Sequence, residues 1–308
     1  MHKHSPDIRD EFGPLELVVL GDAQSSGPVP SLEEAYDPKS KEHIRNNTYP
    51  KDEDLVKEMD AMQEILTKYG VEVCRPKLIP NYNQIFSRDI AFVIDDIFVV
   101  SQMLEERSRE IDALEHVFNS IPKEQILRME GDAYLEGGDV MPVKDDIFVG
   151  YANDDDFRTY IAARTNQAGV DFLKVNFSHR TVHAFELNKS DVDPRKNALH
   201  LDCCFQPLGK GHCIIHPEGF KFQKDVDFIQ NYFGKDMCFE ISADEMYEMN
   251  SNVFSIRPDV VVSENGFSRL NEWLKSQGYT VETVSYSEIS KMEGLLRCTT
   301  LPIKRRYP

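Results

Sequence analysis

The chain has 308 residues, 41% hydrophobic and 29% charged, with a formal net charge of −18 and a pI near 4.9. That supplies a sizeable buried core, and it excludes the basic footprint that nucleic acid or an anionic membrane surface requires; a cationic small molecule is the natural guest, with plain solubility as the rival account of the acidity. No apolar run approaches the roughly 18 residues needed to span a bilayer, and the N-terminal MHKHSPDIRDEFGP lacks a signal peptide's apolar stretch, so a soluble, cytoplasmic protein is expected.

In chain order, LELVVLG reads as a strand and residues 22–50, rich in Ser, Pro, Gly and Asn, as a loop. From Asp52 to Tyr69, Leu55, Met59, Met62, Ile65 and Leu66 fall at helical spacing and Gly70 closes the segment, with VEVC following as a strand. A unit then recurs: two short apolar runs around a polar turn, then a helical stretch. Its copies are IAFV, Asp95-Asp96, IFVV, with helix over about 103–118; VMPV, Lys144-Asp145-Asp146, IFVG, with helix over about 155–168; CCFQPL, Gly209-Lys210-Gly211, HCII, with helix near 224–232; and NVFSI, Arg257-Pro258-Asp259, VVVS, with helix near 267–277. The N-terminal strand, helix and strand are a fifth unit or part of one. Repetition at roughly 50 residues predicts a single domain over residues 1–308, built of sectors around an axis, against the alternative of an ordinary mixed α/β domain.

Sectors around an axis bring strand ends from distant parts of the sequence to one channel. Cys298, between Arg297 and Thr299-Thr300, is the candidate nucleophile, because a neighbouring cation favours the thiolate; a buried structural cysteine is the plain alternative. The other five cysteines sit in less polar settings, and their spacing is not that of a disulfide scaffold, so reduced thiols are expected. His200 and Asp202, two apart in a predicted strand, point to one face, the first to move protons and the second to grip a cation. Glu136 and Asp139 flank Gly137-Gly138, which permit close backbone approach. Arg88-Asp89 is the weakest signal, since such a pair is commonest as a solvated ion pair.

Taken in order, Phe86-Ser87-Arg88-Asp89, Glu136-Gly137-Gly138-Asp139, Leu199-His200-Leu201-Asp202 and Arg297-Cys298-Thr299-Thr300-Leu301-Pro302 resemble the signature blocks of the guanidino-group modifying enzymes: arginine deiminases, dimethylarginine dimethylaminohydrolases, agmatine deiminases and amidinotransferases. The resemblance implies the pentein fold, a five-bladed α/β propeller of pseudo-repeated ββαβ units. It implies Cys298 as nucleophile, His200 as general acid and base, Glu136 as the carboxylate orienting it, and Asp89 and Asp202 as the holders of the guanidinium, with no metal and no cofactor. Arg107 is assigned a substrate carboxylate; Arg164 is set aside because Tyr151–Ile161 disturbs the family spacing around it.

The expected activity is hydrolysis of an arginine-like substrate, of deiminase type, with amidino transfer to an amine as the alternative. The deiminases' large helical insertion is absent, and so is the Cys-Trp-Thr-Cys block of glycine amidinotransferase. The partner is a small cationic guanidino compound, with a homodimer allowed. Two accounts from other classes are a zinc site drawn from His200, Asp202, Cys203, Cys204, His212, Cys213 and His216, which lacks CxxC or HExxH spacing, and a non-catalytic scaffold.

Overall fold

A computed structural model describes residues 4–307. Its strands are β1 (Leu15–Leu20) and β2 (Glu72–Cys74); β3 (Ala91–Ile94), β4 (Ile97–Val100) and β5 (Ile126–Arg128); β6 (Val140–Val143), β7 (Asp146–Tyr151) and β8 (Thr181–Glu186); β9 (Phe205–Pro207), β10 (Cys213–Ile215) and β11 (Cys238–Glu240); β12 (Phe254–Arg257), β13 (Val260–Glu264) and β14 (Thr280–Val284); and β15 (Thr300–Arg305). They form five three-stranded sheets, each with an antiparallel pair and a third strand parallel to the middle one. This is the expected five-bladed α/β propeller.

The hairpins fall where the apolar runs and polar turns place them. Ile94 pairs with Ile97 across Asp95-Asp96, and Asp95 adopts φ 53, a left-handed conformation that a short polar side chain tolerates. The middle strands β4, β7, β10 and β13 are almost wholly buried, covered on both faces, so they read as continuous apolar runs.

The chain ends supply what the sequence reading left open. β15, unassigned in that reading, pairs antiparallel with β1, so the N-terminal strands and the C-terminal strand make one blade and close the ring. Two helices depart from expectation. Residues 103–118 break into a 3₁₀ turn and two single turns, and the stretch near 155–168 is two helices, Asp154–Thr159 and Gln167–Asn176. The cause of the second break is local: Asn153 and Asn166 each cap a helix, their side chains accepting from Asp155 and Asp156 N–H and from Gly169 N–H respectively. Among the described residues, no helix is long and apolar enough to cross a membrane.

Fully buried Arg297 is where the blades meet. Its guanidinium donates to Glu11 at 3.0 and 3.1 Å, to Asp202 at 2.8 Å and to the Gly138 and Val140 carbonyls at 3.2 and 2.8 Å, while its backbone N–H donates to Asn252 Oδ1 at 2.9 Å. These partners precede or begin β1, β6, β9 and β12. Burial pushes the Glu11 carboxyl up, but Arg297 and Arg88 outweigh it and bring it to about 2. Arg297→Met should therefore leave Asp202 without its cation and Glu11 with Arg88 alone, and destabilise the fold by about 3 kcal/mol, measured by denaturant titration.

Candidate active site

Apart from Arg107, in a 3₁₀ turn after β4, the site residues lie just ahead of the first strand of a unit, which explains how five distant segments reach one place. Asp89 precedes β3, Glu136 precedes β6, His200 and Asp202 precede β9, Asn252 precedes β12, and Cys298 precedes β15. His200 Nε2 is 2.8 Å from Glu136 Oε2, and its Nδ1 lies 3.7 Å from Asp89 Oδ1. Asn252 Nδ2 donates to Cys298 Sγ at 3.1 Å, and Sγ lies 3.5 Å from Asp202 Oδ2. All are buried.

The Glu-Gly-Gly-Asp block has a steric reason. The His200 ring lies on Gly138 so closely that a Cβ there would stand 2.6 Å from ring atoms Cγ and Nδ1, and a Cβ on Gly137 would stand 2.2 Å from the Arg88 carbonyl oxygen. Asp139 Oδ1 accepts the Leu201 N–H at 2.8 Å and holds the segment that carries His200. Gly138→Ala must push the imidazole off Glu136, so kcat should fall on the order of 10²-fold with the fold retained, a loss to be read by steady-state kinetics beside circular dichroism.

Two expectations need correction. His200 and Asp202 do not share a strand face: residues 201–203 are a 3₁₀ turn, and the two side chains separate, His200 to Glu136 and Asp202 to Arg297 and Cys298. Asp202 does not line the cavity described below. Arg297 was the cation expected to favour the thiolate, yet its donors go to Glu11, Asp202 and backbone carbonyls. The Cys298 thiol is instead pushed well above its usual range, by burial first and then by the Asp202 and Asp89 carboxylates. His200 moves the other way. Burial favours its neutral form, but Asp89 and the hydrogen bond to Glu136 outweigh that and raise it to about 9. Glu136 is held low by Arg164 and by His200, against the upward push of burial.

Cys298, His200 and Asp89 border a cavity of about 380 Å³, with Phe86, Leu199 and Met292 among its apolar walls. Asp89 Oδ2 accepts from Arg107 at 2.8 Å, whereas the buried Oδ1 has no hydrogen-bond partner among the described residues. Arg107 also lines the cavity, but its Nε and Nη2 donate to Glu110 at 2.7 and 3.0 Å and Nη2 also to the Phe86 carbonyl. Four N–H···O bonds, to Asp89, Glu110 and Phe86, thus occupy the guanidinium expected to meet a substrate carboxylate.

The sequence reading missed three contributors. Arg164, set aside for its spacing, is buried on the cavity wall, 3.5 Å from Glu136 and 5.2 Å from the centre of the Tyr36 ring. Ahead of it lies the short helix Asp154–Thr159, and next to it Thr165 Oγ1 accepts the Glu136 N–H at 3.3 Å. Asn252 accepts the backbone N–H groups of Arg297 and Cys298 at 2.9 and 3.1 Å besides donating to Sγ; its one signal was a polar residue at the head of an apolar run. The segment read as loop over 22–50 contains a helix, Pro38–Arg45, N-capped by Asp37, and lines the cavity with residues from Ser26 to Ser40 and with Tyr49 and Pro50. Of the proposed zinc ligands around 200–216, His212 meets the Tyr279 hydroxyl, His216 the Ile241 carbonyl and Cys213 the Cys238 thiol, and only His200 belongs to a gathering of ligand-type side chains among the described residues.

The family described as N,N dimethylarginine dimethylhydrolase, eukaryotic, matches residues 32–305. YkgA of Bacillus subtilis strain 168 is 26% identical over 310 residues, covering 98% of this chain and 96% of YkgA. An arginine deiminase of Listeria monocytogenes serovar 1/2a is 24% identical over 269 residues, 74% of this chain and 62% of the deiminase, so under two thirds of that enzyme is matched. Among solved structures, SxtG, an amidinotransferase of the saxitoxin biosynthetic pathway from Microseira wollei, superposes with a TM-score of 0.74 at 18% identity over 98% of both chains, a likeness of fold.

Proposed function

The chain belongs to the N,N-dimethylarginine dimethylhydrolase family of eukaryotic type, and is thus a guanidino-group modifying enzyme; from that premise we propose that it hydrolyses a C–N bond of an arginine-like guanidinium through a covalent thioether on Cys298. The observation that carries this reading is the buried Asp89 Oδ1, which accepts no hydrogen bond among the described residues, beside Cys298 and His200 in one cavity. A planar guanidinium donates to such an oxygen in a charge-assisted hydrogen bond, which fixes its carbon against sulfur. Its charge also offsets the carboxylates that keep the thiol protonated, so the thiolate forms as substrate binds and the thiol proton passes to solvent.

Attack by Sγ on the guanidinium carbon gives a tetrahedral adduct. His200, protonated and held by Glu136, gives its Nδ1 proton to the departing nitrogen, and the C–N bond breaks to leave an amidino thioether and a free amine or ammonia. Water then adds to the same carbon with His200 as base, the C–S bond breaks, and the products are a ureido compound and the thiol. Asn252 and Asp202 position the sulfur, Arg164 and Arg107 favour the ionised form of Glu136, and Arg107 holds Asp89 in place through Oδ2.

The pH dependence follows from the direction of the histidine shift. With His200 raised to about 9, the proton it must donate is present at neutral pH and lost as pH climbs through that value. The descending limb of kcat/KM should fall near pH 9 and move down in Glu136→Gln, which removes the bond that favours imidazolium. Stability linked to the same group is fully present below the unfolded value of about 6.5 and fades as pH rises through the folded one.

The test of the reaction is mass spectrometry of products from arginine, methylated arginines, agmatine and guanidino acids, each with and without glycine, ornithine or lysine. A ureido product with ammonia or an alkylamine, formed without an acceptor, is the expected result. A new guanidino compound that forms only with an amine would replace hydrolysis by amidino transfer, and no turnover on any guanidine would sink the enzymatic reading.

A further inference from the structure

Away from the cavity, ligand-type side chains gather at one other place among the described residues: His4, Glu72 and Cys74, whose donor atoms all lie within 4.8 Å of one another. Side chains alternate along a strand, so Glu72 and Cys74, two apart on β2, project from one face. β2 is the edge of its sheet. The N-terminal segment is fixed nearby through backbone bonds from His4 N to Ser120 O at 3.1 Å, Asp7 N to Ile303 O at 3.0 Å and Ile8 N to Asp95 O at 2.8 Å. Glu72 is exposed and the other two are half-buried, so an ion can reach them and the side chains have room to adjust.

We infer that His4, Glu72 and Cys74 form a binding site for a zinc-class divalent cation that clips the N-terminal segment to the edge of its blade. Imidazole, carboxylate and thiolate are the three donor types zinc takes, at about 2.0–2.3 Å, which places tetrahedral ligands about 3.5 Å apart. Closing the observed spread to that distance takes at most about 1.3 Å of movement by side chains at the surface. Three protein ligands leave the fourth position to water. The thiol binds as thiolate, so its proton is released to solvent when the ion enters. The other gathering, Asp89, Glu136 and His200, is the poorer host. Arg107 bonds Asp89 at 2.8 Å, and Arg107 and Arg164 stand 3.8 and 3.5 Å from Glu136, two fixed positive charges that oppose a dication. A thiolate in the set also favours zinc over magnesium or calcium.

Titrating the purified 308-residue chain with Co²⁺ tests the site spectroscopically. One equivalent should produce a near-ultraviolet sulfur-to-cobalt charge-transfer band that Zn²⁺ displaces, that survives in Cys298→Ser, and that vanishes in Cys74→Ser. His4→Ala and Glu72→Gln should each weaken binding by roughly tenfold or more. Absence of the band, or its persistence in Cys74→Ser, overturns the assignment. Should Cys74→Ser fail to fold, the wild-type protein decides: one equivalent of Zn²⁺ should protect Cys74 from alkylation, read by peptide mass spectrometry, and alkylation unchanged by zinc overturns the site.

Discussion

Cys298→Ala should lower turnover of any guanidine substrate by on the order of 10⁴-fold or more while leaving the unfolding transition close to that of the wild type. The two parts have different causes. Sγ is the atom that becomes covalently attached in the proposed reaction, and no other thiol lines the cavity to take its place. The position itself asks little of sulfur: Asn252 holds the Cys298 backbone N–H through Oδ1 at 3.1 Å, and the Cys298 carbonyl accepts from Arg88 N–H at 3.0 Å, so both main-chain anchors survive the substitution. Intact-protein mass spectrometry gives a sharper reading. Wild-type protein quenched during turnover should carry the mass of the substrate less the departing ammonia or alkylamine, and Cys298→Ala should carry none. A variant that still turns substrate over at a rate near wild type would remove the thioether from the mechanism.

Much of this arrangement was legible in the sequence because the repeat and the chemistry coincide. Four hairpins announced themselves as paired apolar runs around Asp95-Asp96, residues 144–146, 209–211 and 257–259, since middle strands buried on both faces must be apolar throughout. The short parallel strands β5, β8 and β11 were less visible. β8 (Thr181–Glu186) has an exposed or half-buried start and carries His183 and Glu186, so its pattern does not alternate. β15 was hidden for another reason: its partner β1 lies nearly the whole chain away, and pairing at that distance leaves no local signature.

At the site, His200, Glu136, Asp89 and Cys298 could be chosen by residue type and order, but their contacts could not. The 3₁₀ turns at 137–139 and 201–203 re-aim the side chains that strand alternation would have sent elsewhere. The cations show the limit most clearly. Arg297 sits next to the nucleophile in sequence and gives its donors to Glu11, Asp202 and backbone carbonyls, while Arg164, set aside for its spacing, reaches Glu136. Adjacency in sequence sets backbone distance alone; the long guanidinium stem decides where the charge goes.

Asp89→Asn should separate guanidinium binding from thiol reactivity. The substitution keeps size and shape, so an amide oxygen can still accept from Arg107, which occupies Oδ2 at 2.8 Å in the native protein. The amide nitrogen then takes the place of Oδ1, which accepts no hydrogen bond among the described residues, and presents donors to a guanidinium that has only donors. Replacing a charge-assisted bond by a donor–donor conflict in a buried site should cost kcat/KM roughly 10³-fold. The free enzyme should change in the opposite sense. Asp89 is one of the carboxylates that push the Cys298 thiol up, so removing its charge makes the thiolate easier to form, and Cys298 should react with iodoacetamide at lower pH than in the wild type. The same loss should lower the His200 value from about 9, because Asp89 is foremost among the groups that raise it. A more reactive thiol in a less active enzyme is the signature of a residue that binds the substrate's cation. If Asp89 were only a structural anchor for Arg107, activity would fall in step with stability; kcat/KM within about threefold of wild type would end its assignment to the guanidinium.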